Sequence, residues 1–144
     1  MLQPERTLWK WLDRRMGNAW VAQRVESTGT APGIPDVYFS CKSPDLRGWI
    51  ELKSMRSWGP DQNPFDVLSW TPDQRNWARR HHAAAGRTWL LVEVREHDEV
   101  LLVSSEFALE KFGWYSVSTM RNSLHVLPKR TLGAKEILDA LARA

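Results

Sequence analysis

The stretch that decides the fold is GIPDVYFSC at residues 33–41, followed by GWIELKS at residues 48–54. Both segments alternate apolar with polar or charged side chains, a pattern that is typical of β-strands with two different faces. We therefore predict strands at residues 36–41 and 48–54, joined by the turn formers of KSPDLR. If the apolar side chains of both strands face the core, then Asp36, Glu51 and Lys53 project together from the opposite face.

Two carboxylates and one ammonium group at one point of a sheet predict a site for a divalent cation. Neighbouring carboxylates repel each other, and a cation between them removes that cost. Mg²⁺ or Mn²⁺ suits oxygen ligands and usually retains several water molecules, one of which can be activated as a nucleophile. Lys53 can orient that water or stabilise charge on a phosphate. The three residues therefore have the chemistry that phosphodiester hydrolysis requires.

Each of these residues also has an ordinary structural interpretation. Glu-x-Lys is common on the solvent face of a strand, and Pro-Asp is common in turns. The combination of Pro35-Asp36, an apolar strand, a short turn and Glu51-x-Lys53 favours a functional site.

The two motifs GIPDVYF and WIELK resemble the core of the PD-(D/E)XK nuclease superfamily, and in particular its small Holliday junction resolvase-like and VRR-NUC-like members, many of them from phages. The resemblance covers roughly residues 5 to 92. It implies a restriction-endonuclease-like α/β fold, a central mixed β-sheet flanked by helices, and Mg²⁺-dependent cleavage of DNA in recombination or repair. It also implies that Asp36, Glu51 and the carbonyl of Leu52 bind the metal and that Lys53 is catalytic.

Two further residues match positions that the family often uses. Glu5 falls on the apolar stripe of a predicted helix over residues 2–16, and the resemblance implies that it joins the metal and catalytic site, although an acid in a first helical turn also suits the helix dipole. Gln74 follows Thr71, Pro72 and Asp73, which together predict the start of a helix with a capping box. Gln74 is therefore either a helix cap or a site residue, and both interpretations stay open.

The other predicted elements complete one domain over residues 1–144. They are a strand at 20–26, a loop at 27–33, a long loop at 55–70, a helix at 71–85, strands at 88–94 and 99–104, a short helix near 105–112 and a helix at 132–143. The main order α-β-β-β-α-β-β-α predicts a mixed sheet with helices packed on it.

Several side chains are candidates for DNA contact because they are positively charged or aromatic. They are Arg6, Lys10, Lys42, Arg47, Arg56 and Trp58. The first two lie on a helical stripe that solvation alone also explains, whereas the next three flank the proposed site. The tryptophan can stack on a base or pack inside the loop.

The net charge of +3 and the isoelectric point near 9.3 favour a polyanionic partner. The single cysteine, Cys41, excludes an internal disulfide, and no apolar run approaches the roughly 18 residues that a membrane span needs. We therefore expect a cytoplasmic protein, and the family resemblance implies a bacterium or a phage-infected cell as its setting and branched DNA as its partner. Family analogy adds the expectation of a homodimer. The alternatives are a non-catalytic DNA-binding or assembly module on a nuclease fold, and a nuclease acting on RNA or single-stranded ends.

Overall fold

The computed structural model of the protein describes residues 3–25, 33–59, 68–111 and 125–143. The strands within these residues form one six-stranded sheet with the order β1-β2-β3-β4-β5-β6. They are β1 Val21–Arg24, β2 Val37–Cys41, β3 Leu46–Met55, β4 Thr88–Val94, β5 Glu99–Ser104 and β6 Val126–Pro128. The α-helices are α1 Gln3–Met16, α2 Pro72–Ala83, α3 Ser105–Lys111 and α4 Ala134–Arg143. Single 3₁₀ turns cover Gly17–Ala19, Arg95–His97 and Lys129–Thr131.

The sheet is mixed because one of its strand pairs is parallel. β3 and β4 run parallel, and every other neighbouring pair is antiparallel. A parallel pair needs a long crossover, and the chain between β3 and β4 supplies it with α2. The predicted mixed sheet with flanking helices is confirmed. β3 lies between β2 and β4, and it pairs with β2 over residues 46–50 and with β4 over residues 49–55.

The two faces of the sheet carry separate apolar clusters. One cluster packs Ile50 and Leu52 of β3 against α1 and α4. The other packs Leu90 and Val92 of β4 against Ala78 of α2 and against α3. Every residue of β4 is buried, as expected for a strand that is covered on both faces.

The helices bury the side chains that their spacing indicates. In α1, Leu8, Trp11, Leu12 and Met16 are buried at helical spacing, and Trp9 is partly buried beside them. None of the helices in the described part of the chain is long and apolar enough to cross a membrane.

The main elements are found where they are predicted, with several ends shifted by one or two residues. β3 begins at Leu46, two residues before the predicted start, because Leu46 pairs with Cys41 across the hairpin. The first strand is shorter than predicted and covers Val21–Arg24. The sequence reasoning missed β6, since three residues that end in a proline carry almost no strand signal. Most of the two predicted loops lies outside the described residues.

Candidate active site

The alternation of side chains along β3 separates core residues from site residues. Ile50 and Leu52 point to the cluster under α1 and α4 and are fully buried. Glu51 and Lys53 point to the opposite face. The register pairs Val37 with Ile50, so Asp36, one residue earlier on the antiparallel neighbour, lies beside Glu51. The structure thus brings Asp36, Glu51 and Lys53 together, as the strand pattern predicts.

Asp36 is held at the end of β2 by hydrogen bonds to its backbone and its side chain. Its carbonyl accepts from the Val25 N–H at 2.7 Å, and its Oδ2 accepts from the Leu52 N–H at 2.8 Å. In an extended strand the N–H and C=O of one residue leave on the same side. The Leu52 carbonyl therefore points toward the edge where Asp36 lies, which fits the ligand role that the resemblance implies.

Glu51 is a carboxylate that the fold holds away from water, with 5% of its surface exposed. Its Oε1 lies 3.5 Å from Lys53 Nζ and accepts a hydrogen bond from Gln74 Nε2 at 3.0 Å. Its Oε2 is buried and finds no hydrogen-bond donor in the described residues. Burial first, and the charge of Asp36 second, raise the pKa of Glu51 well above its usual value.

Glu5 acts on this centre through its charge. The pKa of Asp36 is raised mainly by burial and in addition by the nearby negative charge of Glu5, while the Leu52 N–H and Lys53 oppose the shift. Among the residues that the structure describes, no three His, Cys, Asp or Glu side chains are grouped so that they could hold a metal ion. The strand register places Asp36 and Glu51 side by side, and a ligand role for Glu5 stays a prediction.

Lys53 is buried with its ammonium group fixed in place. Only 5% of its surface is exposed, and its Nζ donates to the Ser69 carbonyl at 2.8 Å. The interpretation of Glu51 and Lys53 as solvent-side strand residues is therefore wrong. No side-chain pattern signals the role of Ser69, because the contact uses a backbone atom.

Gln74 is a helix cap and a site residue at the same time. Its Oε1 accepts from the Thr71 N–H at 2.9 Å, and its own N–H donates to Thr71 Oγ1 at 3.2 Å, which forms a capping box. Because the cap uses the amide oxygen, the amide nitrogen is left to donate to Glu51. The helix cap is confirmed, and the contact with Glu51 places Gln74 beside the candidate site, where a part in catalysis stays a prediction.

Gly33 brings the segment that carries Asp36 against the start of α2. Its φ is +87°, and a Cβ atom there would lie 2.4 Å from the Asp73 carbonyl oxygen. A side chain at this position would force the two segments apart. The glycine of the GIPD motif therefore explains how Asp36 and Gln74 reach the same site.

The candidates for DNA contact divide into three groups. The basic side chains that are exposed are Arg6, Lys10, Lys42 and Arg47. Arg56 is also exposed, but its Nε donates to Glu96 Oε1 at 2.7 Å. Trp58 corrects our expectation, because only 3% of it is exposed and it packs in the cluster with Leu90 and Val92. A ring in that position has no free face for a base, so the packing interpretation is the one that fits.

The donor set fits a hard divalent cation. Two adjacent carboxylates with raised pKa values share one nearby ammonium group, that of Lys53, and Glu51 Oε2 is buried without a donor in the described residues. Oxygen ligands of this kind suit Mg²⁺ or Mn²⁺. Asp36, Glu51 and the Leu52 carbonyl are the groups that could hold the ion.

No protein-family model and no curated protein matches the sequence. Among solved structures, the chain is similar to Hjc, a Holliday junction resolvase from the archaeal hyperthermophile Archaeoglobus fulgidus. The two share 14% sequence identity with a TM-score of 0.47, and the match covers 73% of this chain and 77% of that chain. A similarity of this size supports no conclusion about activity. The chemistry of the site is inferred from the positions of this chain's own residues.

Proposed function

We propose that the protein is a divalent-metal-dependent DNA endonuclease with a restriction-endonuclease-like fold. The observation that carries this proposal is the meeting of half-buried Asp36 with the buried side chains of Glu51 and Lys53 on one face of the sheet. Burying such charges costs stability, and perturbed carboxylates of this kind concentrate at functional sites. A module that only binds DNA gains nothing from carboxylates that face phosphates.

In this proposal Asp36, Glu51 and the Leu52 carbonyl would hold the cation, and Glu5 would supply a further carboxylate beside them. A bound Mg²⁺ supplies positive charge next to the phosphodiester and lowers the pKa of a water molecule. Gln74 holds Glu51 Oε1, which leaves Oε2 as the free ligand atom. Asp36 is oriented for the same purpose by its bond from the Leu52 N–H.

Lys53 provides a fixed positive charge at the reacting phosphate. The Ser69 carbonyl holds its Nζ in place, so little reorganisation is needed when negative charge develops on the phosphate oxygens. Fixed charges in sites that exclude water stabilise transition states far more than charges in solution do. Lys53 thus completes the centre with a role distinct from metal binding.

The substrate in this proposal is branched DNA, such as a Holliday junction, recognised by its shape. The exposed side chains of Arg6, Lys10, Lys42 and Arg47 offer contacts to the phosphate backbone, which position DNA without reading its sequence. Cutting two strands of a junction calls for two sites related by a two-fold axis, so the proposal includes a homodimer that works in the cytoplasm.

A cleavage panel tests the proposal. Purified protein with Mg²⁺ or Mn²⁺ is incubated with a four-way junction, a flap, a linear duplex and a single strand, and the products are mapped. We expect cleavage of branched DNA that EDTA stops. Asp36→Asn and Glu51→Gln are expected to abolish it, while Asp139→Asn, on the exposed surface of α4, retains it. No cleavage of any substrate, or near wild-type rates in either site variant, would contradict the proposal.

A further inference from the structure

A cleft of about 400 Å³ lies on the same face of the sheet as the candidate active site. It begins two residues further along β2 and β3, at the cross-strand pair Tyr38 and Trp49. Two residues of strand span about 7 Å, roughly twice the 3.4 Å rise of one nucleotide in duplex DNA. The cleft is therefore within one or two nucleotides of a phosphate bound at Asp36 and Glu51.

The wall of this cleft is a set of packed aromatic rings. Tyr38 and Trp49 meet edge to face, with ring centroids 5.1 Å apart. Trp77 of α2 packs against Trp49 at 5.3 Å, and His81 stacks on Trp77 at 3.5 Å. Trp77 is buried, whereas Tyr38 is 39% exposed. Tyr38 is therefore an exposed ring whose position is fixed by its packing against Trp49, which in turn packs against the buried Trp77.

The mouth of the cleft carries two arginines, Arg47 and Arg87, and one acid, Asp45. Arg47 lies 3.4 Å from Asp45, but both side chains are more than two thirds exposed, at 71% and 80%. Exposed pairs of this kind are weak, so Arg47 remains available to a phosphate. Arg87 lies over the Trp89 ring at 4.9 Å. The mouth has a net positive charge, which complements a nucleic acid strand.

The floor of the cleft is backbone. A Cβ atom on Gly48 would lie 2.3 Å from the Arg87 carbonyl oxygen, and that carbonyl accepts from the Trp49 N–H at 3.1 Å. Glycine at this position lets β3 approach the segment before β4 closely.

We propose that this cleft binds one unpaired nucleobase of the substrate strand, stacked on the Tyr38 ring that Trp49 supports edge to face, with a flanking phosphate at Arg47. Aromatic platforms with nearby arginines bind single-stranded nucleic acid in this way. A base inside a duplex has both faces covered by its neighbours, so only an unpaired or unstacked base fits. The inference rests on the proposed nuclease function and names the substrate feature: unpaired nucleotides next to the cleaved bond. The cleft takes the stacking role that the sequence indicated for Trp58.

Binding without cleavage tests this inference. Full-length protein carrying Asp36→Asn is titrated, in EDTA, with a fluorescently labelled oligothymidylate, an abasic strand of equal length and a duplex of equal length. We expect the oligothymidylate to bind roughly 5-fold or more tightly than the abasic strand, because one stacked base contributes about this much. Equal affinity for the oligothymidylate and the abasic strand would overturn the inference, and the duplex measures the contribution of backbone charge.

Variants assign the preference to the cleft. Tyr38→Ala is expected to remove the difference between the oligothymidylate and the abasic strand, and Tyr38→Phe to retain it. Arg47→Ala is expected to weaken binding of both strands and to reduce the salt dependence. The matched control is Arg130→Ala, since Arg130 is also an exposed arginine next to an aspartate, at 3.3 Å from Asp98, but it follows the edge strand β6. We expect that variant to bind like the parent protein.

The outcomes separate this inference from the nuclease proposal. A base preference that survives Tyr38→Ala overturns the cleft as its source, whatever the protein cleaves. If the protein cleaves branched DNA but binds the oligothymidylate and the abasic strand equally well, the nuclease proposal stands and the proposal for the cleft is overturned. A base preference in a protein that cleaves nothing supports the cleft and contradicts the nuclease.

Discussion

Gln74 Nε2 lies 3.0 Å from Glu51 Oε1, and the oxygen of the same amide accepts the Thr71 N–H that opens α2. One side chain therefore sets both the start of a helix and the orientation of a buried carboxylate. The cap determines which end of the amide faces the site, so Glu51 receives a donor at one oxygen and keeps the other free.

Replacing Gln74 tests this double role. Gln74→Ala and Thr71→Ala each remove half of the capping box and are expected to lower the free energy of unfolding by about 1 kcal/mol. Only Gln74→Ala also removes the donor to Glu51, so only that variant is expected to cleave more slowly at saturating Mg²⁺. Urea unfolding and single-turnover rates measure the two effects. Equal rate losses in both variants would show that Gln74 acts through the helix alone.

Lys53→Met keeps most of the side-chain volume and removes the ammonium group. We expect the rate of the chemical step to fall by about 100-fold or more, in the range that losing one stabilising group in a transition state produces. The dependence of rate on Mg²⁺ concentration is expected to change little, because Lys53 is not a ligand. Single-turnover rates over a Mg²⁺ titration measure both quantities, and urea unfolding confirms that the variant is folded. A weakened metal dependence with an unchanged maximal rate would instead make Lys53 structural.

The buried carboxylates predict how stability depends on pH. Burial raises the pKa of Glu51 above its usual 4.5 and that of Asp36 above its usual 3.8. The native state therefore binds more protons than the unfolded state in the window between the usual and the raised values. The contribution of this proton binding to the free energy of unfolding is fully present below that window, and it is lost as the pH rises through the window.

Urea midpoints in EDTA across this pH range measure that fall. Glu51→Gln is expected to flatten the slope, and Mg²⁺ to stabilise the wild-type protein increasingly as pH rises, because binding needs both carboxylates ionised. The same slope in Glu51→Gln and wild-type protein would contradict the assignment.

Gly33→Ala tests the contact that joins the two halves of the site. Its Cβ would lie 2.4 Å from the Asp73 carbonyl oxygen at a φ of +87°, and we expect a loss of roughly 1–3 kcal/mol of stability together with slower cleavage. Gly17→Ala is the control, since Gly17 also has a positive φ of +48° but its Cβ would meet nothing within 4 Å. That variant should lose stability through its backbone conformation alone and cleave normally. If the two variants behave alike, the close approach at Gly33 has no special role.

The strand faces could be predicted from sequence because side-chain direction in a strand has a period of two residues. That rule alone places Asp36, Glu51 and Lys53 on one side. The depth of their burial could not be predicted in this way, since the cover over Glu51 and Lys53 comes from Ser69 and α2. Whether a strand face meets water depends on segments that are distant in the chain.

At other positions, too, the local sequence predicts secondary structure but not the contacts between segments that are distant in the chain. The cap at Thr71 is visible in four consecutive residues, whereas the contact of Gln74 with Glu51 depends on how α2 docks. The burial of Trp58 is likewise a tertiary fact, because a tryptophan in a loop has no periodic neighbours that indicate a face. The edge strand β6 is too short to produce a pattern.

The parallel pairing of β3 with β4 affects the order in which the parts of the site form during folding. The β2–β3 hairpin forms from contacts close in sequence, while β3 and β4 can pair only after the whole crossover has closed, which is the slower event. A chain that has formed the hairpin alone already holds Asp36 beside Glu51, but in water and without Gln74 or the Ser69 carbonyl. We therefore expect catalytic competence to arise late in folding, so that a partly folded chain does not cut nucleic acid.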